Sequence, residues 1–345
     1  METTNLIIGA GLAGSTCAHQ LARAGQRVLM VDACDLSRKE KLCAGLLTPR
    51  AQRELACIYG MPAQTVISER FTSMHTLAGR HDVAIEPVTM ACTDRKALDA
   101  FCLNAALTAG AQARDRFKIR DIDTRNKTVT GTLQGEGLAE IPYEHLIVAD
   151  GALSPTRKLL TGASPDAVLA LETPVEKNAT PLTFAYLDGF FGYFWYAPCA
   201  DHAKIGCGSY GGDELREPLE RFARACGVEL GKVRGAYIPT GKDVLLRTDA
   251  AYFLGDAASL VCPPSGEGIY FALHSGRMCA KAILAHASYE ALMRPCALQV
   301  KRQFKTRRVF FNATFIDKSL EAAGHTPYGK QRAIQFALKN FASFS

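Results

Sequence analysis

The first 32 residues combine two short apolar runs with one helical stretch between them. Residues 5–8 form an apolar run that predicts a buried strand almost at the N-terminus. Residues 15–24 predict a helix, which Gly25 ends, and residues 27–31 predict a second strand. The succession of strand, helix and strand indicates a βαβ unit, in which the two strands lie parallel in one sheet.

Three glycines mark the turn between the first strand and the helix. Gly9, Gly11 and Gly14 form the pattern G-x-G-x-x-G, and Asp32 ends the second strand 18 residues later. The first glycine permits a tight turn, the second lets a pyrophosphate approach the backbone, and the third lets helix and strand pack closely. N–H groups at the helix N-terminus face phosphate charge, and the acid accepts hydrogen bonds from a ribose. We therefore predict a dinucleotide site formed by Gly9, Gly11, Leu12, Ala13, Gly14, Asp32 and Ala33.

Strand-rich and helical blocks alternate along the rest of the chain. Residues 66–88 and 166–246 are rich in strand and turn signals, whereas the other segments return to the nucleotide-binding unit with longer helical patterns. We predict an α/β fold with three parts. They are a Rossmann-like nucleotide-binding domain with a parallel central sheet (residues 1–65, 89–165 and 247–290), an interleaved antiparallel-sheet substrate domain (residues 66–88 and 166–246) and a C-terminal helical segment (residues 291–345).

Composition narrows the class of protein. The 345 residues are 48% hydrophobic and 21% charged, which is typical of a globular protein. No run approaches the roughly 18 apolar residues of a membrane span, and the N-terminus lacks the pattern of a secretory signal, so we expect a cytoplasmic protein. The 12 cysteines show neither a C-x-x-C pair nor a zinc-ligand spacing. We expect free thiols and no metal site.

Positive charge is concentrated at the C-terminal end. Residues 291–345 hold ten Lys or Arg and only two acids, Asp317 and Glu321, in a chain of net charge +6. Basic residues such as Lys301 and Arg308 alternate there with phenylalanines. A helix of this kind can lie peripherally on an anionic membrane surface, or it can cap the protein with its aromatic side inward. We find no nucleic-acid-binding motif.

Three further segments carry short motifs in a fixed order. They are T-D-R-K-A-L-D at residues 93–99, L-I-V-A-D-G-A-L-S-P-T-R at 146–157, and Y-F-L-G-D-A-A at 252–258, which P-P-S-G-E-G-I follows at 263–269. With the glycine motif, they resemble the flavoprotein hydroxylase and reductase superfamily, which has the p-hydroxybenzoate hydroxylase type of FAD fold. Two more segments, K-L-C-A-G-L-L-T-P at 41–49 and G-Y-F-W-Y-A-P at 192–198, resemble motifs of the geranylgeranyl reductase family.

The resemblance implies that the nucleotide-binding domain is an FAD-binding domain, and it places several residues at the cofactor. Arg95 would contact the phosphate or ribityl region, although a surface ion pair with Asp99 is its plain alternative. The turn at residues 266–269 would direct N–H groups at the isoalloxazine, where a helix dipole stabilises the charge of reduced flavin. The residues that it adds to the cofactor site are Cys43, Ala44, Gly45, Arg95, Asp150, Gly151, Gly255, Asp256, Gly266, Gly268 and Ile269.

Four residues are predicted to take part in catalysis: Cys43, Tyr193, Trp195 and Glu267. Tyr193 and Trp195 alternate on a predicted strand, so both should face one side and line an apolar pocket over the flavin. Each residue also has a purely structural explanation. Cys43 could pack without reacting, the two aromatic residues could belong to the core, and Glu267 could cap its own helix.

These observations favour an FAD-dependent oxidoreductase that transfers hydride between flavin N5 and a carbon of an apolar or lipid-like substrate, by C=C reduction or desaturation. The alternative is an FAD-dependent monooxygenase that hydroxylates an aromatic or polyketide-like substrate through a flavin hydroperoxide. A third hypothesis is an accessory protein, derived from a flavoprotein, that has lost its chemistry. We expect no separate NADPH domain, so NADPH or NADH would dock transiently as electron donor, or a redox partner protein would deliver electrons.

Overall fold

The computed structural model describes residues 3–78, 81–133, 137–212 and 214–312, together with residues 315, 318, 321, 329, 330 and 332. The strands in this part of the chain are β1 (Thr3–Ile8), β2 (Val28–Val31), β3 (Leu46–Leu47), β4 (Glu69–Phe71), β5 (Met74–Ala78), β6 (His81–Ile85), β7 (Met90–Cys92), β8 (Gln112–Arg114), β9 (Phe117–Asp123), β10 (Thr128–Leu133), β11 (Gly137–Val148), β12 (Ala167–Val175), β13 (Thr183–Tyr186), β14 (Gly192–Pro198), β15 (Ala203–Ser209), β16 (Arg234–Pro239) and β17 (Tyr252–Phe253). The helices are α1 (Leu12–Arg23), α2 (Pro49–Tyr59), α3 (Arg95–Thr108), α4 (Pro155–Thr161), α5 (Arg216–Ala225), α6 (Ile269–Leu284) and α7 (Tyr289–Phe310).

The first large sheet is built around the N-terminal strand. Its strand order is β8-β2-β1-β11-β10-β9, and β17 also pairs with β11. β1 runs parallel to β2 and to the second half of β11, so that Ile7 lies beside Met30 and Ile147. β2 is buried at every position, as strands covered on both faces are. This arrangement confirms the predicted α/β class and the βαβ unit at its centre.

The second large sheet is mostly antiparallel, in the order β16-β12-β15-β14-β13-β5-β6. Only β5 and β13 run parallel to each other within it. A small third sheet, β3-β7-β4, lies at the exit of the loop that contains Cys43. The domain boundaries given above stay predictions. The second sheet takes its strands from residues 74–85 and 167–239, and the first sheet takes its strands from the chain before, between and after them.

Helix α7 carries the start of the basic C-terminal segment. Ser288 caps it, because its hydroxyl accepts a hydrogen bond of 3.1 Å from the backbone N–H of Ala291. Met293 and Val300 are buried on one face, whereas Lys301 is exposed on the other. Most of the predicted segment beyond residue 312 lies outside the described residues.

A buried group of charges joins α2 to α6; we call Glu54, His274 and Arg277 the Glu54 cluster. The Glu54 carboxylate accepts hydrogen bonds from Arg277 Nε (2.6 Å) and Nη2 (3.0 Å) and from His274 Nδ1 (3.1 Å). Burial alone would raise the pKa of Glu54, but the bonds from His274 and Arg277 lower it to about 2. Burial alone would lower the pKa of His274, but hydrogen bonds with Cys296 and Glu54 raise it to about 9. At neutral pH the cluster therefore holds one negative charge, on Glu54, and two positive charges, on His274 and Arg277, between the helices.

We expect the Glu54 cluster to lose stability at alkaline pH. The pKa of His274 rises on folding from 6.5 to about 9. The protonated histidine therefore stabilises the folded protein fully below pH 6.5, and this contribution is lost as the pH rises through about 9. The free energy of unfolding of wild type should exceed that of H274Q by roughly 2–3 kcal/mol near pH 6, and the difference should shrink progressively up to about pH 10. Urea denaturation across this pH range measures it.

The matched control is His286→Asn, which alters an exposed histidine at the end of α6. This variant should follow the wild-type pH dependence. A difference between wild type and H274Q that stays constant with pH contradicts the charged state assigned to His274.

Candidate active site

A cavity of about 1330 Å³ opens between the two large sheets. The glycine turn after β1 lines one end, and β12, β14 and β16 line the other. Pockets for one small molecule usually occupy about 300–1,000 Å³. The cavity therefore has room for an extended dinucleotide and for a second molecule beside it.

The glycine turn has the geometry that phosphate binding needs. Gly9 has φ +102°, and a Cβ there would lie 2.3 Å from the Ala149 carbonyl oxygen, while a Cβ on Gly14 would lie 1.9 Å from the Gly9 oxygen. Gly11 differs, because a Cβ there would meet no atom within 4 Å. It is the N-cap of α1 and offers no capping side chain. The first N–H groups of α1 thus face open space, where an anion can bind.

Asp32 closes this end of the cavity at the tip of β2. Its carboxylate accepts hydrogen bonds from the backbone N–H of Ala10 (2.8 Å) and of Cys34 (2.9 Å), and Lys39 forms an ion pair with it. The acid therefore fixes the glycine turn from within. Lys39 adds a positive charge beside the space in front of α1, which sequence reasoning did not assign.

Arg95 is buried at the start of α3, where Asp94 caps the helix. Arg95 Nη2 donates to both carboxylate oxygens of Asp99, at 3.0 and 3.2 Å. Burial lowers the pKa of Arg95, but Asp99 and the neighbouring Cys43 thiol more than offset this and raise it. The ion pair with Asp99, which was the alternative role predicted for Arg95, is therefore present. It is buried and lines the cavity, whereas the prediction placed it on the surface. Among the described residues, Arg95 Nε finds no hydrogen-bond partner, so its N–H can donate to an acceptor on a ligand.

Asp150 and Asp256 lie at the ends of adjacent strands β11 and β17. Asp150 accepts hydrogen bonds from the Ser154 hydroxyl and from the Thr156 N–H (3.0 Å). Burial raises the pKa of Asp150, and these hydrogen bonds offset part of the rise. Asp256 forms an ion pair with Lys41 at the cavity wall. Asp150 thus organises the turn into α4, whereas Asp256 lines the cavity and has the Lys41 ammonium as its partner.

Glu267 belongs to the turn of residues 265–268 that precedes α6; we call it the Gly266 turn. The carboxylate accepts a hydrogen bond of 3.0 Å from Arg50 Nε, a second from Arg50 Nη2 and a third from the Thr48 hydroxyl. Burial raises the pKa of Glu267, and these partners counter part of that rise. Gly268 is the N-cap of α6, without a side-chain cap, so the expectation that Glu267 caps its own helix is wrong. Its bonds join the Gly266 turn to the start of α2.

Arg50 is the partner that the sequence did not reveal. Its guanidinium carbon lies 4.2 Å from the ring centre of Tyr270 and 4.7 Å from that of Phe271, both in α6. These stacking contacts hold the arginine behind the Gly266 turn. Arg50 follows Thr48 and Pro49 at the start of a helix, which gives no sign of a partner more than 200 residues away.

Cys43 lies in the loop of residues 41–45, which we call the Cys43 loop. The thiol is half-buried, and its sulfur accepts a hydrogen bond of 3.4 Å from the Gly45 N–H. Lys204 Nζ on β15 donates to the Cys43 carbonyl at 3.1 Å. The loop therefore reaches from the first sheet to the second, and Cys43 and Ala44 line the cavity.

Tyr193 and Trp195 form the aromatic floor of the cavity. Both are buried on β14, with ring centres 5.7 Å apart. A Cβ on Gly266 would lie 2.0 Å from the Tyr193 hydroxyl oxygen, so the Gly266 turn contacts this floor directly. Trp195 Nε1 donates a hydrogen bond of 3.1 Å to Glu172 on β12. Burial raises the pKa of Tyr193 well above its usual range.

A second G-x-G-x-x-G occurs at residues 206–211 and is not a nucleotide-binding turn. Gly206 and Gly208 lie on β15, in the antiparallel sheet. A Cβ on Gly206 would lie 2.3 Å from the Trp195 ring, and one on Gly208 would lie 3.6 Å from the Tyr193 hydroxyl oxygen. Gly206 therefore makes room for the Trp195 ring, whereas a Cβ on Gly208 would be in ordinary contact with Tyr193.

Most of the residues predicted from the sequence meet in this cavity. Those that line it are Gly9, Gly11, Leu12, Ala13, Asp32, Ala33, Cys43, Ala44, Arg95, Asp150, Gly151, Tyr193, Trp195, Asp256, Gly266, Glu267, Gly268 and Ile269. Gly14, Gly45 and Gly255 are not part of the lining. They lie behind it, where an added Cβ would meet Gly9, Thr93 and Ala13 respectively. The lining residues that the prediction missed include Lys39, Lys41 and Glu172.

Comparisons with known proteins agree with this geometry. Residues 3–180 match the family described as pyridine nucleotide-disulphide oxidoreductase. The geranylgeranyl diphosphate reductase of Rhodobacter capsulatus is 30% identical over 311 residues, which cover 83% of this chain and 76% of that protein. The chain belongs to the geranylgeranyl reductase family of FAD-dependent oxidoreductases.

Solved structures of known proteins share the fold. A geranylgeranyl bacteriochlorophyll reductase-like protein from Thermoplasma acidophilum has a TM-score of 0.80 and 19% identity, covering 100% of this chain and 98% of its own. A probable FAD-dependent monooxygenase from Pseudomonas aeruginosa has a TM-score of 0.69 and 16% identity, covering 97% of this chain and 100% of its own. Reductases and monooxygenases thus share this architecture. The relatives in sequence favour the reductase type for this member of the family.

The residues that line the cavity fit FAD, and the family to which the chain belongs confirms FAD as the predicted cofactor. The N–H groups at the start of α1 have no side-chain cap and face open space in front of Gly11. Arg95 Nε, which has no hydrogen-bond partner among the described residues, can donate to an acceptor on the cofactor. Within the described residues, no three His, Cys, Asp or Glu side chains come together as metal ligands. None of the helices in the same part of the chain is long and apolar enough to cross a bilayer.

Gly11 allows cofactor binding to be separated from folding. An alanine at this position meets no protein atom within 4 Å, and φ −85° suits it. We expect G11A apoprotein to keep the wild-type melting temperature but to bind FAD roughly tenfold more weakly or worse, because the methyl group occupies the space left for the pyrophosphate. FAD titration and thermal melting of the apoproteins measure both quantities.

Gly14→Ala serves as the comparison variant. Its Cβ would lie 1.9 Å from the Gly9 oxygen, so this variant should melt at a lower temperature even without FAD. Wild-type FAD affinity in G11A would show that the pyrophosphate does not bind at this turn.

Proposed function

We propose that the protein adds two hydrogens across a carbon–carbon double bond of an apolar, isoprenoid-type substrate, or removes them in the reverse reaction. The observation that carries the proposal is the aromatic floor, Tyr193 and Trp195, in contact with the Gly266 turn. Phe184, Met90 and Ile238 extend this wall. A surface of this kind binds hydrocarbon and excludes water. The relative from Rhodobacter capsulatus is named for an isoprenoid diphosphate.

The opposite end of the cavity would hold FAD. The N–H groups at the start of α1 would bind the pyrophosphate, and Asp32 would accept hydrogen bonds from the adenosine ribose. Arg95 and Asp256 would contact the phosphate and ribityl region. Lys39 and Lys41, which pair with Asp32 and Asp256, supply positive charge there. When bound, FAD supplies hydride transfer between its N5 and a substrate carbon.

The Gly266 turn would hold the flavin end in a fixed electrostatic environment. The N-terminus of α6 directs its uncapped N–H groups at this part of the cavity, where negative charge is stabilised. Glu267 is engaged by Arg50 and Thr48, so it orients the turn. Delivery of a proton to the substrate then falls to another group of the cavity.

The proposal includes NADPH or NADH as reductant and a cytoplasmic setting. Lys39, Lys41 and Arg234 line the cavity with positive charge that suits the phosphates of a transiently docked nicotinamide cofactor. The cysteines are free thiols, as is usual in a reducing compartment. Reduction by a redox partner protein, with no response to either nucleotide, is the competing outcome.

We further propose that α7 contacts an anionic membrane surface from which an apolar substrate is taken. Leu298 is 57% and Val309 is 49% exposed, on a helix face that also exposes Lys301 and Arg302. Apolar and basic side chains together favour binding to anionic lipid. Co-sedimentation should occur with phosphatidylglycerol vesicles and not with phosphatidylcholine vesicles, and reversing the charge of K301E/R302E should reduce it. Equal sedimentation with both lipids contradicts the proposal.

The function itself is tested by the mass of the product. FAD-loaded protein, NADPH or NADH and geranylgeranyl diphosphate are incubated without oxygen and then in air. We expect a product that has gained two hydrogens, formed equally without oxygen. A product that has gained one oxygen atom, formed only in air, identifies a monooxygenase instead. A protein that takes up no FAD and converts nothing would be the accessory protein.

A further inference from the structure

Glu172 is a buried carboxyl group in the substrate half of the cavity. It lies on β12, is 3% exposed and lines the cavity with Ala170, two residues before it on the same strand. The wall around it is formed by Trp195, Tyr193 and Phe184. A carboxyl group in such a wall is costly to keep charged and is therefore rarely there without a function.

The sheet is shaped so that Trp195 reaches this carboxyl group. β15 separates β12 from β14, and Gly206 of β15 pairs with both Glu172 and Trp195. Any side chain at Gly206 would collide with the indole, since a Cβ would lie 2.3 Å from it. The indole therefore lies across β15 and donates its N–H to Glu172 Oε2 at 3.1 Å.

Charged side chains approach Glu172 from two strands, β15 and β16, and neither forms an ion pair with it in the described residues. Lys204 of β15 donates to the Cys43 carbonyl, and Arg234 of β16 pairs with Glu40 at 3.0 and 2.9 Å. Burial raises the pKa of Glu172, while Lys204, the Trp195 indole, the Cys43 backbone and Arg234 counter part of the rise. Because these opposing effects act on its pKa, the Glu172 carboxyl group can both hold a proton and release it.

The other acids of the cavity are already engaged. Glu267 is tied to Arg50 and Thr48, and Asp99 to Arg95. Tyr193 is a poor acid here because burial raises its pKa. Glu172 keeps a single neutral donor, Trp195, among the described side chains.

We propose that Glu172 is the proton donor of the double-bond reduction. As hydride reaches one carbon of the double bond, the Glu172 O–H bond breaks and its proton forms a C–H bond at the other carbon. The carboxylate that remains takes a proton from water, which enters when product leaves. In the reverse direction, Glu172 accepts the proton. This inference rests on the proposed function and assigns the acid that it requires.

The chain contains its own reporter for this group, because Trp195 is its one tryptophan. Tryptophan emission changes when the carboxyl group that accepts the indole hydrogen bond gains or loses its proton. A pH titration of the fluorescence therefore reports the protonation state of Glu172 without any turnover. In wild-type apoprotein we expect a transition with a midpoint above the ordinary glutamate value of 4.5. In E172Q this transition should be absent. An identical transition in E172Q, or none in wild type over the pH range in which it stays folded, overturns the assignment.

The chemical role is tested by single-turnover kinetics with geranylgeranyl diphosphate as the probe. Holoenzyme is reduced anaerobically and mixed with the probe, and reoxidation of the flavin is followed. E172Q should react about 10²–10⁴-fold more slowly, while its FAD affinity and its reduction by nucleotide stay at wild-type values. E172D should restore part of the rate. The rate of flavin reoxidation should depend on pH in wild type and should lose this dependence in E172Q. Glu176→Gln, an exposed glutamate just after β12, is the matched control and should behave as wild type.

The two proposals fail in different ways. If wild type leaves geranylgeranyl diphosphate unreduced, the proposed function is wrong and the proton-donor role falls with it. If wild type reduces the probe and E172Q does so at the same rate, the function stands and the role of Glu172 is wrong.

Discussion

The buried ion pair between Glu267 and Arg50 is the contact on which the site depends most. It joins residues 217 positions apart and fixes the start of α2 against the Gly266 turn before α6. The Cys43 loop leads into α2, so one contact sets the relation between the loop and the turn. Removing one partner of a buried pair leaves the other charge uncompensated and costs about 3–5 kcal/mol. The Glu54 cluster makes a second connection between α2 and α6, from one turn further along α2.

The two large sheets divide the chemistry of the cavity between them. The parallel sheet presents backbone N–H groups, glycines and strand-end acids, which suit phosphates and sugar hydroxyls. The antiparallel sheet presents a wall of aromatic side chains, and Gly206 on β15 leaves room for the Trp195 ring in it. Reductases and monooxygenases share this architecture, so the fold alone does not distinguish the two functions.

Local patterns along the chain predicted the cofactor end well. The predicted strand at residues 5–8 lies within β1, and the predicted strand at 27–31 contains β2. The glycines and Asp32 could be assigned because their chemistry is encoded within one continuous βαβ unit. The predicted helix at 15–24 starts three residues earlier, at Leu12, since Gly11 is its N-cap.

The substrate end could not be predicted in the same way, because its residues meet only through tertiary pairing. Glu172 interrupts an apolar strand, which was the available signal, but its partner Trp195 is two strands away in the sheet. Arg50 carries no local sign of its bond to Glu267. The burial of Arg95 with Asp99 was also hidden, since an i, i+4 pair looks the same on an exposed helix face and on a covered one.

A crystal structure of the protein with FAD tests the central claim most directly. The account predicts that the pyrophosphate lies at the N-terminus of α1 beside Gly11, and that the isoalloxazine lies between the Gly266 turn and the aromatic floor of Tyr193 and Trp195. An isoalloxazine bound away from that turn, or a pyrophosphate held elsewhere than at α1, would contradict it.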